Sequence, residues 1–338
     1  MVGEQPAAPP RIGAPRTGVV LIGRNEGARL VAALAAIPET VERVVYVDSG
    51  STDGSVAAAR AAGAEVVELD LSTPFTAARA RNEGFARLRE IAPVELVQFI
   101  DGDCALQPGW LRTATAFLAE TPGCAVVCGR RRERFPQASV YNRLCDLEWD
   151  TPVGEARACG GDALMWAEVF EAMGGYDPAV IAGEEPELCQ RLRRAGWTIW
   201  RIDAEMTLHD ADMHRLGQWW TRARRYGHAA AEGMAMHGAG PDRHGVAGTV
   251  RALTWGLALP LAILVLAFAW PLGALVLVLI YPAQVLRLAR RYAGNGERDF
   301  ALRRAALSVL GKLPEAQGAL QYGLRRLRGR QGRIIEYK

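Results

Sequence analysis

The apolar run Leu96-Val97-Gln98-Phe99-Ile100 stops abruptly at Asp101-Gly102-Asp103. A buried parallel strand ends this way when its carboxyl edge must hold a divalent cation. Carboxylates at i and i+2 on a bending chain can face one point, and the intervening glycine lets the backbone come close. A cation held by one or two carboxylates keeps open positions, which suits it to bridging a diphosphate. Taken alone, the segment reads equally as a polar turn after a strand. Its neighbours in the sequence decide between these readings.

Two other polar clusters end apolar runs in the same way. Gly18 to Ile22 leads into Gly23-Arg24-Asn25-Glu26-Gly27, and Val41 to Val47 leads into Asp48-Ser49-Gly50-Ser51-Thr52-Asp53-Gly54. Helical spacing over Ala28 to Ile37, Ser55 to Ala62 and Thr76 to Ile91 separates these runs from one another and from a third short strand, Ala64 to Leu69. Strands alternating with helices predict βαβ units and a mostly parallel sheet. Ligands bind beyond the carboxyl ends of such strands. Further on, Gly160-Gly161-Asp162 precedes apolar Ala163 to Trp166, and Gly183-Glu184-Glu185-Pro186-Glu187-Leu188 opens a helix that closes on three arginines and Gly196. Acids at its start and bases at its end complement the helix dipole, which by itself would account for the glutamates.

In order and spacing, these segments resemble family 2 glycosyltransferases of the GT-A fold. The resemblance runs from about Gly18 to His209 and rests on Asn25-Glu26, Asp48 to Gly54, Ala80-Arg81-Asn82-Glu83-Gly84, Asp101-Gly102-Asp103, Gly174-Gly175-Tyr176-Asp177 and Gly183 to Leu188. It implies that Asp48 and Asp53 hold the base and ribose of a nucleotide sugar. Asn25, Glu26, Arg81, Gly161 and Asp162 would line the same donor pocket. Asp101 and Asp103 would be the metal pair, with Asp103 the direct ligand of Mg2+ or Mn2+. Glu185 aligns with the acid that deprotonates the acceptor hydroxyl. The family pattern there is G-E-D-x-D-L, and both aspartates are glutamates in this chain, which leaves Glu184 and Glu185 as alternative bases. His209 is either a further metal or diphosphate contact or a surface histidine that starts a helix; Asp212 and His214 are lesser candidates. A single base opposite the leaving group implies inversion of the transferred sugar.

The chain has 338 residues, half of them hydrophobic, enough for one large α/β domain and an appendage. A net charge of +3 gives no reason to expect a nucleic-acid partner. Six cysteines, spaced as neither a zinc site nor a disulfide scaffold, read as reduced thiols in a cytosolic domain. Residues 1–17, rich in Pro, Ala and Gly, read as a flexible leader without the apolar core of a signal peptide.

No charged residue occurs from Ala252 to Leu286, and arginines flank the stretch. It is too long for one membrane span and short for two. Trp270-Pro271-Leu272-Gly273 near its middle predicts a turn between helices over Leu253–Ala269 and Leu272–Leu288. The expected organisation is a catalytic domain over 18–215, an interfacial helical linker over 216–250, a membrane hairpin over 251–289 and a basic amphipathic tail over 290–338. In the tail, arginines from Arg298 to Arg333 alternate with Phe300, Leu302, Leu307 and Leu310. Arginines at both hairpin ends place the catalytic domain on the cytoplasmic face of the inner membrane. The resemblance then implies a lipid-linked or glycan acceptor, in cell-envelope glycolipid or exopolysaccharide assembly. Gln218-Trp219 lacks the Q-x-x-R-W of processive synthases, which implies one sugar per encounter. A transferase acting on polyprenyl phosphate itself, or an inactive nucleotide-sugar-binding membrane scaffold, are the alternatives.

Overall fold

A computed structural model describes residues 15–329, in two compact units that meet in sequence at Asp212 and Met213. Residues 1–14 of the expected leader lie outside the described residues, and Thr17 already belongs to the first strand.

The first unit alternates β1 (Thr17–Gly23), α1 (Ala28–Ala35), β2 (Arg43–Asp48), α2 (Ser55–Ala61), β3 (Glu65–Glu68), α3 (Ala77–Ile91) and β4 (Leu96–Asp101). Then follow β5 (Cys104–Leu106), α4 (Trp110–Glu120), β6 (Cys124–Glu133), α5 (Val140–Trp149), β7 (Gly154–Glu155), β8 (Ala163–Trp166), α6 (Ala167–Ala172), α7 (Glu184–Arg194) and β9 (Thr198–His209). The strands form one sheet in the order β3-β2-β1-β4-β8-β6-β9-β5, with β7 against β9. From β3 to β4 every pairing is parallel, as the βαβ pattern requires. Beyond β4 the sheet is mixed, because β8 runs against both β4 and β6. Its first residue, Ala163, pairs with Phe99 near the carboxyl end of β4, so a strand entering from that edge must run back across the sheet. The Gly160–Asp162 loop is thereby held beside Asp101.

The segment Arg81-Asn82-Glu83-Gly84 shows how one turn of α3 serves three purposes. Gly84 faces the sheet, where a Cβ would come within 2.5 Å of Val20 and 2.7 Å of Val47. Asn82 clamps the turn after α6: its Nδ2 donates to Tyr176 O at 2.7 Å and its Oδ1 accepts from Tyr176 N at 2.9 Å. Arg81 is then aimed at the carboxyl edge of β4. Beneath it Phe85, Phe99, Phe170 and Tyr176 pack edge-to-face or tilted, with neighbouring centroids 4.7–5.5 Å apart.

The second unit is helical: α8 (Leu216–His237), α9 (Val246–Leu253), a π-helical turn (Thr254–Ala258), α10 (Leu259–Ala269), α11 (Pro271–Gly294), α12 (Ala301–Leu310) and α13 (Lys312–Leu327). Two helices of 24 residues result, Val246–Ala269 and Pro271–Gly294, each long and apolar enough to cross a membrane. Their apolar side chains face outward; Phe268 is 86% and Leu272 71% exposed. Both helices overrun the limits expected from the uncharged stretch. The first starts seven residues before Leu253 and takes in Arg251; the second continues past Leu288 through Arg290 and Arg291. Charge marks where a helix meets water, and arginine is a good helix former, so it does not mark where the helix ends. The break falls on Trp270 alone (φ −154°, ψ 82°), since the residue before a proline is driven out of the α region.

The basic tail also differs from a lone amphipathic surface helix. The stripe buried on α12 is Ala301, Ala305 and Val309, following Phe300, whereas Leu302 and Leu310 point outward. The helical period selects small residues for the face that packs, which spacing of the large ones alone misses. Within this unit α13 lies close against α8, where Gly227 and Gly318 leave no room for a Cβ beside the facing backbones of Glu315 and Arg224. Arg330 and Arg333 lie outside the described residues.

Candidate active site

Strand β1 lies between β2 and β4, so the three carboxyl-end loops are neighbours. The left-handed backbone of Asn25 (φ 55°) ties two of them together. Its N–H donates to Ser51 Oγ at 2.8 Å, and its Oδ1 accepts from Thr52 N at 2.8 Å. Asp48 is buried beneath them, with Oδ2 accepting from Gly50 N and Ser51 N (2.9 and 2.7 Å) and Oδ1 accepting from the Tyr46 hydroxyl at 3.0 Å. It shapes the loop. Asp53 is exposed at the rim, where hydrogen bonds from Ser55 hold its carboxyl below the usual range. Glu26 pairs with Arg29 at 3.0 Å, and its side chain lies over Gly102, where a Cβ would meet Glu26 Cγ and Ile22 O at 3.1 Å.

Arg81, 2% exposed, lies between two carboxylates. It donates to Glu184 Oε1 at 2.5 Å and to Asp101 Oδ1 at 2.6 Å. The other oxygen of Asp101 accepts from Arg131 at 3.1 Å, and Arg131 also reaches Asp162, at 2.9–3.0 Å. Burial works against ionisation of Asp101, but Arg81 and Arg131 outweigh it and hold the carboxyl well below the usual range. Both oxygens of Asp101 therefore face arginines. Asp162 is buried and accepts from Thr207 Oγ1 (2.8 Å) and Asp101 N (3.1 Å), so it anchors Arg131 and Asp101. Gly161 allows this crowding: a Cβ there would lie 3.0 Å from both Arg81 Nη2 and Asp101 Oδ2.

Asp103 instead meets His209. The chain enters β5 directly after Asp103, and β5 pairs antiparallel with the end of β9, Cys104 opposite His209. This register sets His209 Nε2 3.3 Å from Asp103 Oδ2, although 106 positions separate the two residues. His209 is buried and ends a strand; it is not a surface residue that starts a helix. Burial pushes its pKa down. Trp149 packs edge-on against it at 4.6 Å, and Glu133 Oε2 lies 3.7 Å from Nδ1. His209 Nε2 and Asp103 Oδ2 thus lie 3.3 Å apart, close enough for one cation to take both as ligands. A carboxylate behind the other ring nitrogen is a recurrent support for metal-binding histidine. Cys104 brings its sulfur within 4.8 Å of both, but burial keeps it a thiol by raising its pKa far above the ordinary value. Asp101, Cys104 and Asp162 form a second such cluster, whose acids are already neutralised by arginine.

The two candidate bases are separated by the side of the helix they occupy. Glu184 is turned to Arg81, whereas Glu185 accepts one hydrogen bond, from Gly160 N at 3.0 Å. Burial, and then the charge of Glu184, raise Glu185 from 4.5 to about 7. Glu187 is a structural residue, paired with Arg191 at 2.7 Å. Asp212 pairs with Arg29 at 3.4 Å, and His214 is exposed. Arg131 was not among the residues singled out in the sequence. Its signal is the run Arg130-Arg131-Arg132 at the end of an apolar strand, where a period of two must turn the middle arginine opposite to its neighbours.

The sheet, with its acids, arginines and histidine gathered at one edge, has the GT-A architecture. Residues 19–155 match the family model for glycosyl transferase family 2, so the first unit carries a domain of that family. The succinoglycan biosynthesis protein ExoA of Rhizobium meliloti (strain 1021) is 28% identical over 238 residues, covering 67% of each chain. The mannosyltransferase PcManGT of Pyrobaculum calidifontis, solved with GDP-Man and Mn2+, shares the fold at a TM-score of 0.60, 21% identity and 91% coverage of both chains. Glucosyl-3-phosphoglycerate synthase of Mycobacterium tuberculosis matches at a TM-score of 0.48 and 20% identity over 64% of this chain and 78% of that one.

Proposed function

We propose that this transferase moves a sugar from a nucleoside diphosphate to an acceptor hydroxyl with inversion, in a metal-dependent reaction, with Glu185 as the base. The observation that carries the reading is the division of labour between the adjacent glutamates. Arg81 neutralises Glu184, while Glu185, with one backbone hydrogen bond, is poised near neutral pH. A general base is most effective with its pKa near the working pH. Glu185 takes the acceptor proton as the hydroxyl attacks the anomeric carbon, and displacement from that side inverts the centre.

Asp103 and His209 would hold Mn2+ or Mg2+, and their oxygen–nitrogen pair suits Mn2+ better, since Mg2+ prefers oxygen ligands. Bound there, the cation supplies positive charge to the leaving diphosphate. Asn25 and Asp53 contact the nucleoside from the loop rim. Arg81 and Arg131 fix Asp101 and present positive charge beside the phosphates. The acceptor is lipid-linked and the product enters a cell-envelope glycolipid or exopolysaccharide, a reading supported by the two long apolar helices and by the likeness to a succinoglycan biosynthesis protein. The flanking arginines favour the inner membrane, with the transferase unit on the cytoplasmic side.

The test is binding of a panel of nucleotide sugars to detergent-solubilised protein, with and without Mn2+. One donor should bind tightly only with the metal, and Asp103→Ala should abolish that binding. Glu185→Gln should keep it and lose turnover. A well-folded protein that binds no donor would overturn the reading.

A further inference from the structure

The helical unit carries a cluster of side-chain nitrogens that are buried and lack partners. Arg224 and His228 are one turn apart on α8, and the same stretch of α13 presents Gly318, Tyr322 and Arg325 at matching spacing. Gly318 packs against the backbone of Arg224 and His228, and the Tyr322 ring meets His228 edge-on at 5.3 Å. Arg325 is close enough to His228 to act on its charge. His228 is 1% exposed, and its Nδ1 has no hydrogen-bond partner; neither do the buried Arg224 Nε and Arg325 Nη1. Among the described residues neither arginine makes an ion pair. The carboxylate nearest the imidazole, Glu232 Oε2, lies 3.7 Å from His228 Nδ1, beyond hydrogen-bond reach.

Partly desolvated guanidinium groups without counter-charge are costly, and close-packed glycines fix these in place. An anion with several acceptor oxygens would satisfy unpartnered nitrogens carried on two facing helices, since arginine forks match phosphate geometry. We propose that Arg224, His228 and Arg325 form a binding site for a phosphate-bearing ligand between α8 and α13. The phosphate comes from a lipid headgroup or from a soluble phosphate. Packing of α13 on the π-helical turn at Gly256, which lies within the first long apolar helix, favours the lipid as source. The site lies within the helical unit and stands independently of the transferase reading.

The experiment uses the full chain in neutral detergent micelles. Calorimetry and native mass spectrometry measure binding of dioleoyl phosphatidic acid, of dioleoylglycerol as its phosphate-free counterpart, and of inorganic phosphate. Saturable binding of a phosphate probe is expected, about tenfold or more weaker in Arg224→Gln and in Arg325→Gln. Arg225→Gln, about 100° round the helix, should leave it unchanged and controls for bulk charge. Binding of phosphatidic acid alone assigns the ligand as a lipid, and equal binding of inorganic phosphate assigns it as a soluble anion. Equal affinity for dioleoylglycerol, no binding of either phosphate probe, or undiminished binding in both arginine variants overturns the proposal. His228→Gln, which keeps a polar group of similar size, provides a further variant should an arginine change disturb folding. Metal-dependent donor binding, read on the same samples, should be unaffected, so failure here is distinguishable from failure of the transferase assignment.

Discussion

Glu185 offers the sharpest test of the active-site chemistry, because its environment sets a pH dependence that an ordinary glutamate lacks. Its carboxyl is raised from 4.5 to about 7, first by burial and then by Glu184. With a pKa of about 7, about 10% of the carboxyl is ionised at pH 6 and about 90% at pH 8. If the carboxylate is the base, kcat/KM should rise about tenfold between those pH values, with unit slope below pH 7 and a plateau above. An unperturbed glutamate would be about 97% ionised at pH 6, and the profile would be flat over the same range. Because kcat/KM reports the free enzyme, the comparison is with the structure without substrate. Glu184→Gln keeps an acceptor for Arg81 but removes the like charge, so it should move the acidic limb to lower pH. Glu185→Gln should lower turnover by about two to four orders of magnitude.

Stability should move the opposite way. A carboxyl whose folded pKa is raised binds its proton more tightly in the native state, so the native state loses stability as pH rises from 4.5 to about 7 and no more above it. At pH 8 Glu185→Gln should therefore melt higher than the parent, by up to about 3 kcal/mol of stability. A flat kcat/KM profile from pH 5.5 to 8, together with a Glu185→Gln protein of near-parental turnover, would refute the assignment of Glu185 as base.

Other consequences concern the groups around it. His209→Ala should weaken Mn2+-dependent donor binding at least tenfold in a titration, and Mn2+ should support tighter binding than Mg2+. Arg81→Met strands the buried carboxylate of Glu184 and leaves half-buried Asp101 to Arg131 alone, and should cost about 3–5 kcal/mol in a denaturant melt. Parental stability would show that the acids take protons in compensation. Gly84→Ala pushes a Cβ to within 2.5 Å of Val20 and should cost about 1–3 kcal/mol by forcing α3 off the sheet, with loss of activity through the displaced Arg81.

Much of this protein is local in origin and can be read from the chain. The parallel half of the sheet follows from apolar runs ending in carboxylates, because a strand must stop where charge needs water or a ligand. The helix at Glu184 follows from its acids, closing arginines and Gly196, which takes up a left-handed φ of 89°. The break at Trp270 follows from Pro271. Tertiary structure decided what depended on distant pairing. Only the antiparallel register of β5 with β9 brings His209 to Asp103, and no spacing predicts a contact across 106 positions. Asp101 and Asp103, two residues apart, share a motif, but only packing shows that Arg81 and Arg131 arrive from α3 and β6 to pair with the first. The same arginine distinguishes Glu184 from Glu185, which share type, charge and helix turn. Propensity and hydropathy act along a few residues of chain, whereas the protonation and role of each acid depend on which cations the fold brings to it through space.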